Sequence, residues 1–370
     1  MERTLAQNPS LAEASVPGTY PSDPIATLYR LARPWIFRLD PEQAHRATLL
    51  LLHLAGGTLP GQMAMRALFP PRLASRRVHA FGLDFANPVG LAAGYDKDGL
   101  AWRGLAYLGF GSLEIGTVTP RSQSGNPQPR IFRLVEDEAI INRMGFPNEG
   151  AGAVAARLRG RRPDGLVLGV NIGKNQSTPL EAAAEDYLSL LRTFAPLADY
   201  LAVNVSSPNT QGLRSLQTYP ALSGLLAAMA REREGLRAGL GKPLPILVKL
   251  APDLSSADLD GALRAVEETG MDGVILTNTS LRRERTSSAL RREAGGLSGT
   301  PLEQTTLKFV QTVCQRTDGR VPVVASGGVM TPDSAQRMLD AGAVLVQVYT
   351  GLIYQGPSLV RQMVGALDRW

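Results

Sequence analysis

The stretch AVNVSSPNTQG, residues 202–212, begins as an apolar strand and ends in amide and hydroxyl side chains. Ser-Pro-Asn is ordinary turn chemistry and accounts for the loop. It leaves Asn204, inside the extended run 201–205, unexplained. Asn142, Asn209 and Asn278 sit on separate loops of the same kind. An amide carries donors and acceptors together, so several converging amides can read a planar imide or pyrimidine edge. Lys97 or a neighbouring backbone donor can then hold an attached carboxylate. Taken singly, each asparagine is equally a turn cap.

A second group of residues suits an anion. VVASGGV at 323–329 runs into a helical pattern, TPDSAQRMLDAG, where Thr331 can cap and Pro332 needs no donor hydrogen bond. Gly327 and Gly328 let backbone N–H groups approach a phosphate, and GGLSG at 295–299 offers another close contact. Glycine loops also serve as plain turns, and no GxxxxGK[ST] loop is present. Lys97, Lys249, Asn171 and Thr277 suit the polar edge of a flavin ring, which Ala92, Ala93 and Gly94 allow to approach the backbone. Lys249 lies in ILVKLAP, where an unpaired ammonium is costly to bury. It faces either a ring carbonyl or a carboxylate on a neighbouring strand.

Something must bring these residues to one place. From Phe85 onward, eight short runs rich in Val, Ile and Leu alternate with amphipathic stretches: ANPVGLAAG, FGSLEIGTV, GLVLGVNIG, YLAVNVS, PILVKLAP, DGVILTNT, VPVVASGG and GAVLVQVYT. Strands covered on both faces read this way. Eight such units predict an α/β fold, a closed (β/α)8 TIM barrel, with an open parallel sheet as the competitor. Lys97, Thr117, Asn171, Asn204, Lys249, Asn278, Gly327 and Tyr349 fall at or beyond strand ends, on the rim where barrel sites form.

Composition narrows the function. Lys and Arg outnumber Asp and Glu by 39 to 33, a bias too mild to mark a nucleic-acid binder. Arg72, Arg76 and Arg77 cluster without aromatic company. Cys314 is the single cysteine, and His45, His53 and His79 have no metal-ligand spacing, so no metal site is expected and an iron–sulfur relay within this chain is excluded. Before the barrel, residues 21–60 predict two short helices broken near Pro34 and Pro41, with Leu28, Leu31, Trp35, Ile36 and Leu39 beside Arg30, Arg33 and Arg38. That composition suits a membrane interface or a helical pair packed on the barrel. The apolar run 47–57 is too short to span a bilayer. Residues 1–20 are expected to form a flexible extension and 61–84 a linker to a barrel at 85–370.

NPVGLAAGYDKDG, GFGSLEIGTVTPR, INRMGFPN, VNIGKN, VNVSSPNTQGLR, VKLAPD, TNTS, GGLSG, SGG and VYTG occur in one order between about Asn87 and Gly351. Together they resemble the class 2, quinone-dependent dihydroorotate dehydrogenases. The resemblance implies FMN in a (β/α)8 barrel, oxidation of (S)-dihydroorotate to orotate in pyrimidine synthesis, and a membrane quinone as terminal acceptor. It implies Ser207 as catalytic base, where class 1 members carry cysteine. Substrate contacts carry over to Lys97, to Asn142, Arg143, Met144, Gly145 and Phe146, and to Asn204, Asn209, Asn278 and Thr279. FMN contacts carry over to Ala93, Gly94, Lys97, Thr117, Asn171, Asn204, Lys249, Thr277, Gly299, Gly328, Tyr349 and Thr350. Phe146 and Thr210 resemble residues beside a proton route. Tyr95, between AAG and DKDG, stands at a variable position.

The resemblance further implies that residues 21–60 form a membrane-association and quinone-access region. The expected location is peripheral, on the cytoplasmic face of the cell membrane against the phospholipid surface, with neither nucleic acid nor an iron–sulfur subunit as partner. Two other readings rest on the residues: a flavin barrel oxidising another amide or hydroxy acid, and a noncatalytic phosphate- or RNA-binding barrel.

Overall fold

A computed structural model describes residues 23–70, 77–160, 162–163 and 165–368. The expected extension at 1–20 lies outside the described residues, as do Arg72 and Arg76 of the basic cluster. Three helices come first: α1 (Pro24–Ile36), α2 (Pro41–Gly57) and α3 (Leu59–Leu68). Asp23, Asp40 and Thr58 cap them, each accepting from backbone N–H groups of the first turn. Pro34 does not break α1. It falls in the last turn, where little helix remains to lose, and the helix stops two residues later. Pro41 does begin a helix, at the position where its missing N–H costs nothing.

The segment expected as a linker holds most of α3 and then a hairpin, β1 (Val78–Ala80) and β2 (Leu83–Phe85). Its residues Val78, Ala80, Phe81 and Phe85 pack with Val167, Ala202, Leu247, Ile275, Val324 and Leu345 from the strands that follow. The hairpin is therefore a floor for the barrel, and its apolar residues alternate because one face is buried.

All eight predicted runs are barrel strands. In chain order they are β3 (Val89–Leu91), β4 (Ser112–Val118), β7 (Val167–Ile172), β8 (Tyr200–Asn204), β9 (Ile246–Leu250), β10 (Gly273–Leu276), β12 (Val323–Ser326) and β13 (Leu345–Val348). They close in parallel in the order β10-β12-β13-β3-β4-β7-β8-β9. Around them run α4 (Trp102–Ala106), α5 (Ala151–Leu158), α6 (Ala183–Phe194), α7 (Tyr219–Leu240), α8 (Ser256–Glu268), α9 (Glu303–Arg316), α10 (Pro332–Asp340), α11 (Thr350–Gln355) and α12 (Leu359–Leu367). Thr331 caps α10 as expected, accepting from Ser334 N at 3.2 Å while Ser334 Oγ accepts from Thr331 N at 2.9 Å.

The remaining strands, β5 (Ile131–Leu134), β6 (Ala139–Asn142) and β11 (Gly296–Gly299), form a separate antiparallel sheet over the rim. GGLSG is thus a strand of this insertion as well as a close-contact loop. The N-terminal helices meet the barrel through α2 and α4. A Cβ on Gly56 would lie 2.3 Å from Gly104 N, and one on Gly104 would lie 2.1 Å from Leu52 O, so the two backbones touch. Further along, Tyr29 Oη donates to Ile353 O at 2.6 Å and Arg33 Nη1 to Tyr354 O at 2.9 Å.

Candidate active site

Inside the barrel, β4 carries a carboxylate in an otherwise apolar run. Glu114 is fully buried and accepts from Asn171 Nδ2 at 2.8 Å, Tyr200 Oη at 3.0 Å and Gln347 Nε2 at 2.7 Å. Lys249 Nζ stands 3.6 Å from the same carboxylate. Two opposite charges in the interior are tolerable because they pair and because neutral donors fill the remaining lone pairs. The ammonium of Lys249 makes no hydrogen bond among the described residues and lines the cavity above. Both readings of Lys249 thus meet in one residue, with a strand carboxylate below it and open space above.

Asn171 lies one layer beneath that cavity. Its Oδ1 accepts from Thr117 Oγ1 at 2.6 Å and from Asn204 Nδ2 at 3.2 Å, and Asn204 Nδ2 also donates to Thr117 Oγ1 at 2.9 Å. The amides on the rim pair off. Asn278 Nδ2 reaches Asn204 Oδ1 at 3.2 Å, and Asn209 Nδ2 reaches Asn142 Oδ1 at 3.2 Å. The four asparagines therefore converge, as their spacing predicts, and they do so on the wall of one cavity.

That cavity opens to solvent, and its empty space counted out to the opening is about 940 Å³. Ala93, Gly94, Lys97, Thr117, Asn142, Met144, Gly145, Phe146, Asn204, Ser207, Asn209, Lys249, Thr277, Asn278, Thr279, Gly299, Gly328, Tyr349 and Thr350 all line it. Three expected residues do not. Arg143 turns away, pairing with Glu293 at 2.7 Å and stacking on Phe132, because alternation along the chain sends its side chain opposite to that of Asn142. Asn171 hydrogen-bonds Thr117 and Asn204, which do line the cavity. Thr210 is buried three residues after Ser207, and its hydroxyl has no hydrogen-bond partner among the described residues.

Ser207 is 5% exposed, and its Oγ accepts from Asn209 N at 3.3 Å. Phe146 has φ of +57°, in the left-handed region that an aromatic residue seldom occupies. Gln123 Nε2 holds it there, donating to the carbonyls of Gly145 and Phe146 at 3.1 Å each, and Asn148 Nδ2 adds 2.9 Å to the latter. Lys97 donates to Gly94 O at 2.6 Å, and burial pulls its ammonium down to about 8. Burial likewise raises Asp96 to about 6, against the pull of the Leu100 and Ala101 amides that its carboxylate accepts at 2.8 Å each.

At the far end, Gly327 and Gly328 adopt φ of +120° and +75°. The reason for Gly328 differs from the expected one: a Cβ there would lie 2.2 Å from Glu303 Cα, so the loop is packed against the start of α9 before any ligand arrives. A glycine-lined end for a phosphate, an Ala92–Ala93 wall, and a lysine with free donors form a set that fits FMN. A second cavity of about 1320 Å³ lies between α1, α2 and the barrel, mostly apolar, with His45, Arg133 and Tyr349 among its polar linings. It shares Asn142, Met144 and Tyr349 with the first. Burial, reinforced by the charge of Lys97, pulls His45 down to about 4.

Residues 75–369 match the sequence profile of the family described as dihydroorotate dehydrogenase. The chain belongs to the dihydroorotate dehydrogenase family. It is 50% identical over 341 residues to a dihydroorotate dehydrogenase (quinone) of Azotobacter vinelandii, covering 92% of this chain and 96% of that one. With the Halorhodospira halophila enzyme of the same name it shares 49% over 347 residues, covering 92% and 98%. Among solved structures, DHODH from Eimeria tenella in complex with ferulenol aligns with a TM-score of 0.80 at 39% identity, covering 89% of this chain and 90% of that one.

Several residues of this dihydroorotate dehydrogenase site escaped sequence reasoning. Glu114 stood in SLEIGTV as visibly as Lys249 in ILVKLAP, and the same burial argument applies to it. Arg214 and Asp253 lay inside recognised motifs without a role. Arg214 donates to Ser206 O at 3.1 Å, Thr279 O at 3.0 Å and Asp253 Oδ2 at 2.9 Å, tying two rim loops together. Gln347 and Tyr200 gave no signal beyond being polar in apolar strands.

Proposed function

We propose that this protein oxidises (S)-dihydroorotate to orotate, with FMN in the rim cavity and a membrane quinone as final acceptor. The observation that carries the reading is the convergence of four asparagines, Ser207 and Lys97 on a cavity whose other end is lined by glycine. The paired amides hold the substrate by the planar imide edge of its ring, and Lys97 and nearby backbone donors hold its carboxylate. FMN, when bound, supplies the hydride acceptor. Its phosphate fits the end at Gly299, Gly328 and Thr350. Its ring fits against Ala93 and Gly94, with Lys249 positioned to stabilise negative charge on the ring's polar edge and Thr117, Thr277 and Asn204 supplying further contacts.

Ser207 takes the proton from C5 of the substrate. A serine alkoxide is rare in water, so the proton must leave Ser207 as the carbon gives up its own. The unpartnered hydroxyl of Thr210 beside it can hold a water for this purpose, and Phe146 keeps bulk solvent out.

The apolar cavity beneath α1 and α2 suits an isoprenoid quinone, delivered from a membrane on which the helices rest. Among the described residues, ten of the thirteen large apolar side chains that are exposed lie between Leu28 and Leu68. No described helix is long and apolar enough to cross a bilayer, which fits peripheral attachment, here assigned to the cytoplasmic face.

Anaerobic addition of dihydroorotate should bleach the spectrum of bound flavin, and a long-chain quinone should restore it. Thr48→Trp, which puts a bulky ring on the wall of the apolar cavity, should slow the second step and spare the first. A flavin left unbleached by dihydroorotate overturns the substrate assignment. Equal loss of both steps in Thr48→Trp overturns the access route.

A further inference from the structure

We propose that Glu42, on α2, is a positioning residue for the dihydroorotate site, acting through Arg130 and Asn126 on the loops that face the substrate. The inference rests on the reading that Asn142, Met144 and Asn209 line that site. Glu42 and Arg130 keep only 9% and 7% of their side chains exposed, and they join in a two-pronged pair: Arg130 Nε to Glu42 Oε2 at 3.0 Å and Nη2 to Oε1 at 2.7 Å. A planar guanidinium held at two points is fixed in orientation as well as in place.

Its remaining nitrogen is thereby aimed. Arg130 Nη1 donates to Ser124 O at 2.7 Å and Asn126 O at 2.8 Å. Asn126 in turn reaches both substrate loops. Its Nδ2 donates to Arg143 O at 2.9 Å and Asn209 O at 3.1 Å, and its backbone N donates to Met144 O at 2.9 Å. Neither Glu42 nor Asn126 lines the rim cavity, whereas Asn142, Met144 and Asn209 do. A helix of the N-terminal region thus sets the separation of two loops that must close on one flat molecule.

The alternative is that the pair only fastens α2 to the barrel. The two roles part in substrate affinity. Removing the carboxylate leaves a buried guanidinium without its counter-charge, which then seeks solvent or another acceptor and releases residues 124–126. A displacement of this kind, remote from the chemistry, weakens a geometry-dependent site while every residue that touches the ligand is still present.

The test uses the full-length, FMN-loaded protein and orotate as the probe, with affinity read by calorimetry. Glu42→Gln should lower orotate affinity about tenfold and raise the KM for dihydroorotate more than it lowers the rate of flavin reduction. Backbone amides at 142–146 and 207–212 should exchange with deuterium faster, while those of the barrel strands keep their protection. Asn126→Ala should act in the same direction, and the double variant should bind no more weakly than the weaker single one, because both cut one path. Arg46, 66% exposed, donates to the same Glu42 oxygen at 2.8 Å from the solvent side. Arg46→Ala should leave orotate affinity unchanged. Wild-type orotate affinity in a folded, FMN-loaded Glu42→Gln protein overturns the inference, as do fully additive losses in the double variant. If Glu42→Gln does not fold, unchanged affinity in Asn126→Ala overturns it alone. An unmodified protein that binds no orotate at all would instead defeat the functional reading on which the inference rests.

Discussion

The rim of the barrel and the helices before it solve opposite problems with the same chain. On the rim, polar side chains are buried and paired: Asn204, Asn171, Thr117, Glu114 and Lys249 form one connected set at the cavity wall. In α1–α3 the apolar side chains are the exposed ones, and Leu28, Leu31 and Trp35 are each about two-thirds accessible. A buried network fixes atoms to within tenths of an ångström because any shift leaves a donor unpaired. An exposed apolar face fixes nothing by itself and acquires a position only when something covers it. On the proposed reading, chemistry belongs to the first region and access to the second.

Variants can separate the two. The largest expected effect is on the rim: Ser207→Ala should retain fold and FMN yet slow dihydroorotate-driven flavin reduction about 10²–10⁴-fold, as loss of a positioned base does. Single-turnover stopped-flow measures this directly, and a near-normal rate would remove Ser207 from its role. On the helical side, replacing Leu28, Leu31 and Trp35 together by serine should weaken binding to anionic vesicles by roughly ten- to a hundredfold, given about 1.5–3 kcal/mol for each fully buried apolar side chain and only partial immersion here. Flavin reduction by dihydroorotate in free solution should not change. Vesicle sedimentation unaffected by the triple substitution would show that another surface meets the lipid.

The smallest effect concerns the seam between the regions. Hydrogen bonding to Arg130 holds the Glu42 carboxyl at about 2, below its ordinary value of 4.5. A carboxyl depressed in the folded state contributes stability above its unfolded pKa and loses it as pH falls through the folded one. The contribution should therefore be complete above about pH 5 and fade between about 4.5 and 2. Glu42→Gln should flatten that part of the acid-unfolding profile, measured by circular dichroism, and leave the profile near neutrality parallel to that of the unmodified protein.

Much of this was legible in the residues. The eight strands announced themselves because burial on both faces leaves uninterrupted Val, Ile and Leu, and the polar residues at their ends stood out against that background. Asn204 and Lys249 were visible for the same reason. The side chain of Arg143 points away from the cavity because neighbours along an extended chain face opposite ways, which the motif alone does not convey. Thr210 and Asn171 are buried without lining the cavity, a distinction that spacing does not encode. The antiparallel sheet of β5, β6 and β11 was missed since its strands are four residues each and two of them are separated from the third by half of the barrel strands. The tie from Glu42 to Arg130 spans 88 positions, and neither residue lies in a pattern that names the other.

The hairpin β1–β2 closes the floor of the barrel, and this has a kinetic consequence. With one end sealed, both reactants on the proposed reading enter at the rim, by two cavities that share only Asn142, Met144 and Tyr349. On that reading, traffic through one need not wait for the other to empty, and a compound wedged beneath α1 and α2 would compete with quinone while no excess of dihydroorotate would dislodge it.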